Sequence, residues 1–433
     1  MKRFAALLLG LLAVAVLPAR AEEQVTIGSG VVEVIKPGAR DIPIAVPRPT
    51  GGDEDTDLLW RVVRNDLEMS GFFDVIDPDA YIEAPSAGIR LGEFSFEDWK
   101  VPDPVVLAKT SLTATGEGVE AEVWVYDVPG TRKLGAKRFT AKRSSGRRIG
   151  HRITDEIIRL VTGEPGIFTT RIAAVTSASG NKEIALLDVD GQGLTSITNN
   201  GSINLQPSWS PEGTRISFTS YRSGNPDLFL ADLAKGTVKR ISSRRGVNIG
   251  AAWHPAGDKL ALTLTSGGDT DIFGISDTGA SIGQLTRAPG IDVAPTFSPD
   301  GTQIAFASER SGGLQIYVMG VEGGEARRVT FQGNHNTDPA WSPDGDRIAF
   351  VGRDGHYDVF TVGVDGKSME RVTQDQGNNE DPTWSPDGRY LALASTRTGR
   401  SQIWMSTADG RHQVPVTSTG GWSNPSWSPR TSW

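Results

Sequence analysis

The sequence contains no cysteine, so disulfides, thiol catalysis and thiolate metal sites are excluded, and the fold must be held by packing and hydrogen bonding alone. Histidine is scarce. His151, His254, His335, His356 and His412 are the only five, and with no H-x-x-x-H or H-E-x-x-H spacing they give zinc chemistry no support. There is no G-x-S-x-G nucleophile elbow, and no region after the repeats described below could hold a hydrolase domain. Beyond Phe4 to Leu17 no apolar run approaches the roughly 20 residues that span a bilayer. A net charge of −8 supplies no general attraction to nucleic acid or anionic lipid. The one basic stretch, Arg132 to Arg152, has only Phe139 as an interleaved aromatic and reads as a solvated face. No cofactor, metal or nucleic acid is expected, and the chain is expected to be a monomer.

What the sequence has in abundance is a repeat. Trp209-Ser-Pro-Glu-Gly, Trp253-His-Pro-Ala-Gly, Phe297-Ser-Pro-Asp-Gly, Trp341-Ser-Pro-Asp-Gly, Trp384-Ser-Pro-Asp-Gly and a truncated Trp427-Ser-Pro follow one another at steps of 44, 44, 44, 43 and 43 residues. A period of about 40–45 residues carrying several short strands is the mark of propeller blades. Proline presets the first central position of the turn and glycine closes it with a positive φ, so each copy joins strand A to strand B as a hairpin. Strand C follows in runs such as Gln315-Ile-Tyr-Val318, a second turn comes at pairs such as Asp365-Gly366, and strand D ends in Leu-Thr or Val-Thr. Four strands make one blade.

Six B strands can be counted, from Arg171-Ile-Ala-Ala-Val to Tyr390-Leu-Ala-Leu. The first lacks a preceding Trp-Ser-Pro strand, and the Trp-Ser-Pro at Trp427 lacks a following B strand. The two orphans complete one another, which predicts a six-bladed all-β propeller closed by the C-terminal strand.

Ahead of the repeats, Lys2-Arg3, the apolar run and Pro18-Ala-Arg-Ala21 read as a secretory signal peptide over residues 1–21, so export to an oxidising compartment is expected. Residues 22–165 are expected to form a small N-terminal α/β domain with a mixed sheet, in the order β, α, β, β, β, β, α. Gly163-Glu-Pro-Gly166 is its hinge to a propeller over residues 166–433. Within it, residues 22–34 alternate apolar and polar side chains ahead of the first confident element, as a mobile segment able to add to another sheet edge. An ordinary edge strand is the alternative.

With catalytic signatures missing, function is expected on a surface. The A–B and C–D turns share one end of the ring and are short, whereas the B–C and D–A connections at the other end are longer, making that end the expected binding face. Its D–A loops place Asn204, Asn248, Asp292, Asn336, Asp338, Asn379, Glu380, Asp381 and Asn424 around the canal mouth, with the acids converging as a rim. The competing reading is that Asn and Asp before a strand cap their own loops. Arg222, Arg310, Arg353 and Arg397 recur in an Arg-x-Gly pattern, with a serine two residues ahead in all but Arg353, and are expected to bond loop carbonyls between blades.

Signal peptide, α/β domain, Gly-Glu-Pro-Gly hinge and the six Trp-Ser-Pro blades, together with Ile42-Pro-Ile-Ala-Val-Pro47, Asn65-Asp-Leu-Glu-Met-Ser-Gly-Phe72 and Gly150-His-Arg152, resemble the TolB family, periplasmic propeller components of the Tol-Pal system. The resemblance implies an adaptor without a reaction of its own. It would bridge TolA of the inner-membrane complex and the outer-membrane lipoprotein Pal, in support of outer-membrane integrity and of invagination during division. Pal would bind over the canal-mouth residues just named, and TolA would take the mature N-terminus, Glu22, Glu23, Gln24, Val25, Thr26 and Ile27. Asp292-Val-Ala-Pro295 stands where some members have Thr-Glu-Pro, so a Pal-contacting glutamate does not carry over to that loop. A secreted propeller enzyme and a carbohydrate-binding module are the alternatives; the first needs acid-base groups clustered in the canal, the second exposed loop aromatics, of which Trp422 and Tyr221 are the main candidates.

Overall fold

The Ser-Pro-Asp-Gly turns form as their chemistry requires. In a computed structural model describing residues 41–49, 54–84, 86–116, 118–142, 145–266, 268–374 and 376–430, Gly213, Gly257, Gly301, Gly345 and Gly388 all have φ between 69° and 80°. Each donates its N–H to the carbonyl three residues back, as Gly345 does to Ser342. The turn serine adds a second bond by accepting the N–H five residues on: Ser298 from Gln303, Ser342 from Arg347 and Ser385 from Tyr390.

Six four-stranded sheets result. Blades two to six begin with Asn204–Trp209, Asn248–Trp253, Asp292–Phe297, Asn336–Trp341 and Asn379–Trp384, and each runs A-B-C-D outwards in sequence order. Blade one takes its inner strand, Trp422–Trp427, from the C-terminus and pairs it with Arg171–Thr176, as expected. The join reproduces the A–B turn without a peptide connection. Arg171 N–H bonds Ser428 Oγ at 3.0 Å, across 257 residues of chain.

Around the axis the inner strands touch in turn, with Trp422–Trp427 against both Asn379–Trp384 and Asn204–Trp209. The aromatic ending each inner strand is buried and helps lock the neighbouring blade. Trp253 Nε1 donates to Ser208 O and Trp384 Nε1 to Ala340 O, both in the preceding blade, while Trp427 Nε1 donates to Thr170 Oγ1.

The N-terminal unit is built from β1 (Ile42–Ala45), α1 (Glu54–Ser70), β2 (Phe73–Val75), β3 (Val106–Thr115), β4 (Gly118–Asp127), β5 (Arg132–Lys142) and α2 (Gly146–Thr162). Its sheet has the order β2-β1-β3-β4-β5, parallel at β1 and antiparallel beyond β3, which is the mixed sheet expected. In α1, Leu59, Val62, Val63 and Leu67 make one buried stripe, and Glu54, Asp55 and Asp57 favour the positive end of the helix. Ile149, Ile153, Ile157 and Val161 form the stripe of α2. Gly150 lets the helices meet, since a Cβ there would lie 2.6 Å from Val62 Cγ1. Residues 77–104 add two 3-10 turns, Pro78–Ala80 and Phe96–Trp99, and a satellite core of Trp99, Tyr126 and Leu107.

One hydrophobic core runs through both units, joining Leu67, Phe72, Ile157 and Phe168 to Ile172, Leu187, Tyr390 and Met405 of blades one and six. Polar bonds fix the seam. Tyr390 Oη donates to Ser70 O at 2.6 Å, His412 Nε2 lies 3.2 Å from Met69 O, and Asp155 accepts from the N–H groups of Phe168 and Thr169. Gly163-Glu-Pro-Gly166, expected to hinge, is held instead. Gly163 closes α2 with φ 84°, and Arg389 and Arg430 both donate to Pro165 O.

Candidate functional site

The N-terminal unit reaches the ring through Arg389, Tyr390, Asp190 and His412, all in or beside A–B and C–D turns. The short-turn end is therefore the covered one among the described residues, and the end with the longer B–C and D–A connections is open. Each inner strand starts at that open end, so its first three residues stand at the canal mouth.

The first position does not face the mouth. Asn204, Asn248, Asp292, Asn336 and Asn379, placed on the rim by sequence, are 3 % exposed or less, and each is bonded inwards, Asp292 to Arg310 of its own blade and the four asparagines to the preceding blade, so their expected place is corrected. Asn379 Nδ2 donates to Asp358 Oδ1, which also accepts from Thr373 Oγ1, while Thr373 Oγ1 accepts from Val359 N–H. Gln315, Thr330 and Asn336 repeat this triad, as do Glu183, Thr198 and Asn204. A buried polar group must find partners, and here three satisfy one another at the end of strands C and D of one blade and strand A of the next. Capping chemistry, the competing reading, describes these residues.

The Ser-x-Arg arginines are likewise corrected, because they serve their own blade. Arg310 donates to Ser308 Oγ and to both oxygens of Asp292. Arg397 donates to Ser395, Gln413 and Asn379 and stacks 4.2 Å from the Trp404 ring, as Arg222 stacks 3.9 Å from Phe229. Planar guanidinium over an aromatic face is favourable without a second blade.

The second and third positions form the wall. A bulge at the third position puts Asp338, Asp381 and Asn424 at φ of 49°, 56° and 46°, a region short polar side chains tolerate. Asp338, Glu380 and Asp381 are half-buried, and none has a cation within ion-pairing distance among the described residues. Burial first, and then the charges of Asp381 and Glu380, push the Asp338 carboxyl up to about 7. Burial raises Asp381 too, offset in part by Asn424, whose N–H donates to Asp381 Oδ2 at 3.0 Å, and by Lys182. Glu380 is raised by burial and by Asp381. Three carboxyls in one canal wall, short of counter-charge, attract positive groups and resist full ionisation.

Glu22, Glu23, Gln24, Val25, Thr26 and Ile27, with the rest of residues 1–40, lie outside the described residues.

Sequence reasoning passed over His151, which α2 plants in the seam. Its Nδ1 lies 2.7 Å from Asp66 Oδ2 of α1, and its Nε2 faces Asp188 at 3.8 Å and Asp190 at 4.0 Å in the C–D turn of blade one. Burial opposes the charged ring, but the three carboxylates outweigh it and raise the imidazole to about 10. Asp66, deeply buried, is raised to about 6 in spite of the ring beside it. His151 is accordingly a buried imidazolium. Arg147 engages Asp190 alongside it.

Comparison with known proteins agrees with this architecture. The sequence matches the family described as TolB beta propeller domain over residues 158–355 and 335–433, and the TolB amino-terminal domain over residues 30–134. A curated relative from Geobacter sulfurreducens, named Tol-Pal system protein TolB, is 42 % identical over 216 residues, 49 % of each chain. One of the same name from Anaeromyxobacter dehalogenans is 41 % identical over 212 residues, 48 % of each. The chain thus spans about half the length of the curated relatives it matches. The crystal structure of TolB from Acinetobacter baumannii superposes with a TM-score of 0.80 at 26 % identity, covering 92 % of this chain and 99 % of that one.

Proposed function

The chain belongs to the TolB family, and from that premise we propose that it is a non-catalytic periplasmic adaptor of the Tol-Pal system, joining TolA on the inner-membrane side to the lipoprotein Pal of the outer membrane. Outer-membrane integrity and invagination during division are the processes it would serve. The observation that carries this reading is the asymmetry of the ring. Its short-turn end is occupied by the N-terminal unit, while its long-loop end is open and leads to Asp338, Glu380 and Asp381. Pal is assigned to that end, with a basic element turned to the canal. Ile203 and Tyr221, joined by the Tyr221 N–H to Ile203 O bond and 46 % and 37 % exposed, supply apolar contact beside it. Aromatic and aliphatic anchors with a charged centre suit protein docking better than turnover of a small substrate. TolA is assigned to Glu22–Ile27.

The test is calorimetry with the mature protein and the Pal and TolA of the same organism. The double variant Asp338→Asn/Asp381→Asn removes charge without changing shape, and should weaken Pal at least tenfold while leaving TolA unaffected. Deleting residues 22–27 should do the reverse. Unchanged Pal affinity in the double variant would move the site away from the canal mouth.

A further inference from the structure

Between the start of α2 and blade one lies a cavity of about 380 Å3, and its wall has donors in excess. Among the buried side-chain polar atoms of the described residues without a hydrogen bond, Arg147 Nε, Arg171 Nε and His151 Nε2 belong to residues lining this one cavity, and of these Arg171 Nε keeps an ion pair with Asp188 Oδ1 at 3.3 Å in the same wall. His151 is 2 % exposed. With Nδ1 held by Asp66, its Nε2 is too far from Asp188 and Asp190 for a hydrogen bond. Arg148, also in the wall, has no ion pair or hydrogen bond among the described residues, and the like charges of Arg152 and Arg171 stand near it. Among the described residues, Asp188 and Asp190 are the carboxylates facing His151 from blade one, and Arg171 and Arg147 respectively already pair with them. The first turn of α2 opens beside the same space with no acidic residue and no side-chain cap from Ser145, and such a helix start bears about half a positive charge.

We propose that this cavity binds a phosphate-type oxyanion, either free phosphate or the phosphate of a small monoester, gripped by Arg147, Arg148, Arg171 and His151 at the start of α2. A guanidinium fork matches two phosphate oxygens at once, and the imidazole offers a single directed N–H. The Arg147 Nε and His151 Nε2 donors then gain an acceptor. Because Arg147, Arg148 and His151 belong to the N-terminal unit and Arg171 to blade one, the anion also bridges the two, so its binding favours their docked arrangement.

The experiment titrates the mature protein with sodium phosphate at pH 7.5, ionic strength held constant with chloride, followed by calorimetric binding and by Tm. Saturable binding with a rise in Tm is expected for phosphate and not for chloride. Arg148→Gln forfeits no hydrogen bond or ion pair among the described residues, so its Tm in chloride should match the parent while its phosphate Kd rises at least tenfold. Glycerol 3-phosphate separates the two sources. Binding within a few-fold of phosphate supports a site open to esters, and loss of binding with phosphate retained supports one closed around the free ion. Failure of the parent protein to bind phosphate saturably, or an Arg148→Gln variant that binds it as tightly as the parent, would overturn the assignment.

Discussion

Replacing Asp338 with asparagine should stabilise the protein at pH 8 and leave it nearly unchanged at pH 4. The folded protein holds this proton up to about 7 against an ordinary value of 3.8, whereas the unfolded chain releases it above about pH 4. Native structure therefore binds more protons than the unfolded chain between those values, and stability falls as pH rises through that window. Above pH 7 the cost of an ionised Asp338 is complete. At about 1.4 kcal/mol per pH unit its ceiling is about 4 kcal/mol; water in the canal screens the charge, so we expect a gain of about 1–2 kcal/mol. Asparagine keeps the shape and accepts the φ of 49° at this position, which leaves charge as the only variable. Urea unfolding at pH 8 and pH 4, read as the midpoint at constant slope, measures it. A variant that is destabilised at pH 8, or stabilised equally at both values, would refute the account of the canal acids.

Removing residues 423–433 strips Arg171–Thr176 of its partner and should abolish cooperative unfolding; a wild-type Tm would disprove ring closure. Tyr390→Phe deletes the buried bond to Ser70 O and should cost about 1 kcal/mol, read in the same urea assay. Gly191→Ala should cost more, about 1–3 kcal/mol, because φ is 77° and a Cβ would lie 1.7 Å from Val416 O; a neutral result would mean that the C–D turn yields easily.

The strands were legible because their turns announce themselves: the Ser-Pro-Asp-Gly signal fixes the A–B hairpin, its period counts the blades, and the unmatched pair at Arg171 and Trp427 implies the closure. The apolar stripes of α1 and α2 were legible by the same periodic logic. Residues 77–104 were not, since 3-10 turns such as Pro78–Ala80 carry no period and Trp99 packs against Tyr126 and Leu107 from a loop. The first residue of each inner strand was misplaced because a loop Asn reads as exposed. A signal was present in the spacing, as an acid or Gln is followed by Thr after 15 residues and by Asn after 21, in Asp358, Thr373 and Asn379 and again in Gln315, Thr330 and Asn336. His151 could not be read at all, for Asp66 lies 85 residues before it, Asp188 and Asp190 belong to the ring, and only the docking of the two units brings them together.

Ring closure by Trp422–Trp427 also sets an order of events. A chain that emerges from its N-terminus delivers Arg171–Thr176 well before its partner strand Trp422–Trp427, so blade one waits with a bare edge while five blades arrive. The contact that ends the wait spans 257 residues, and pairings of such high sequence separation form slowly. Until then the exposed edge accepts any suitable strand, including Trp422–Trp427 of a second copy, and a swapped dimer is the by-product expected at high chain concentration. Helpers that shield incompletely folded chains would be needed most during this last step, and least once Arg171 has found Ser428.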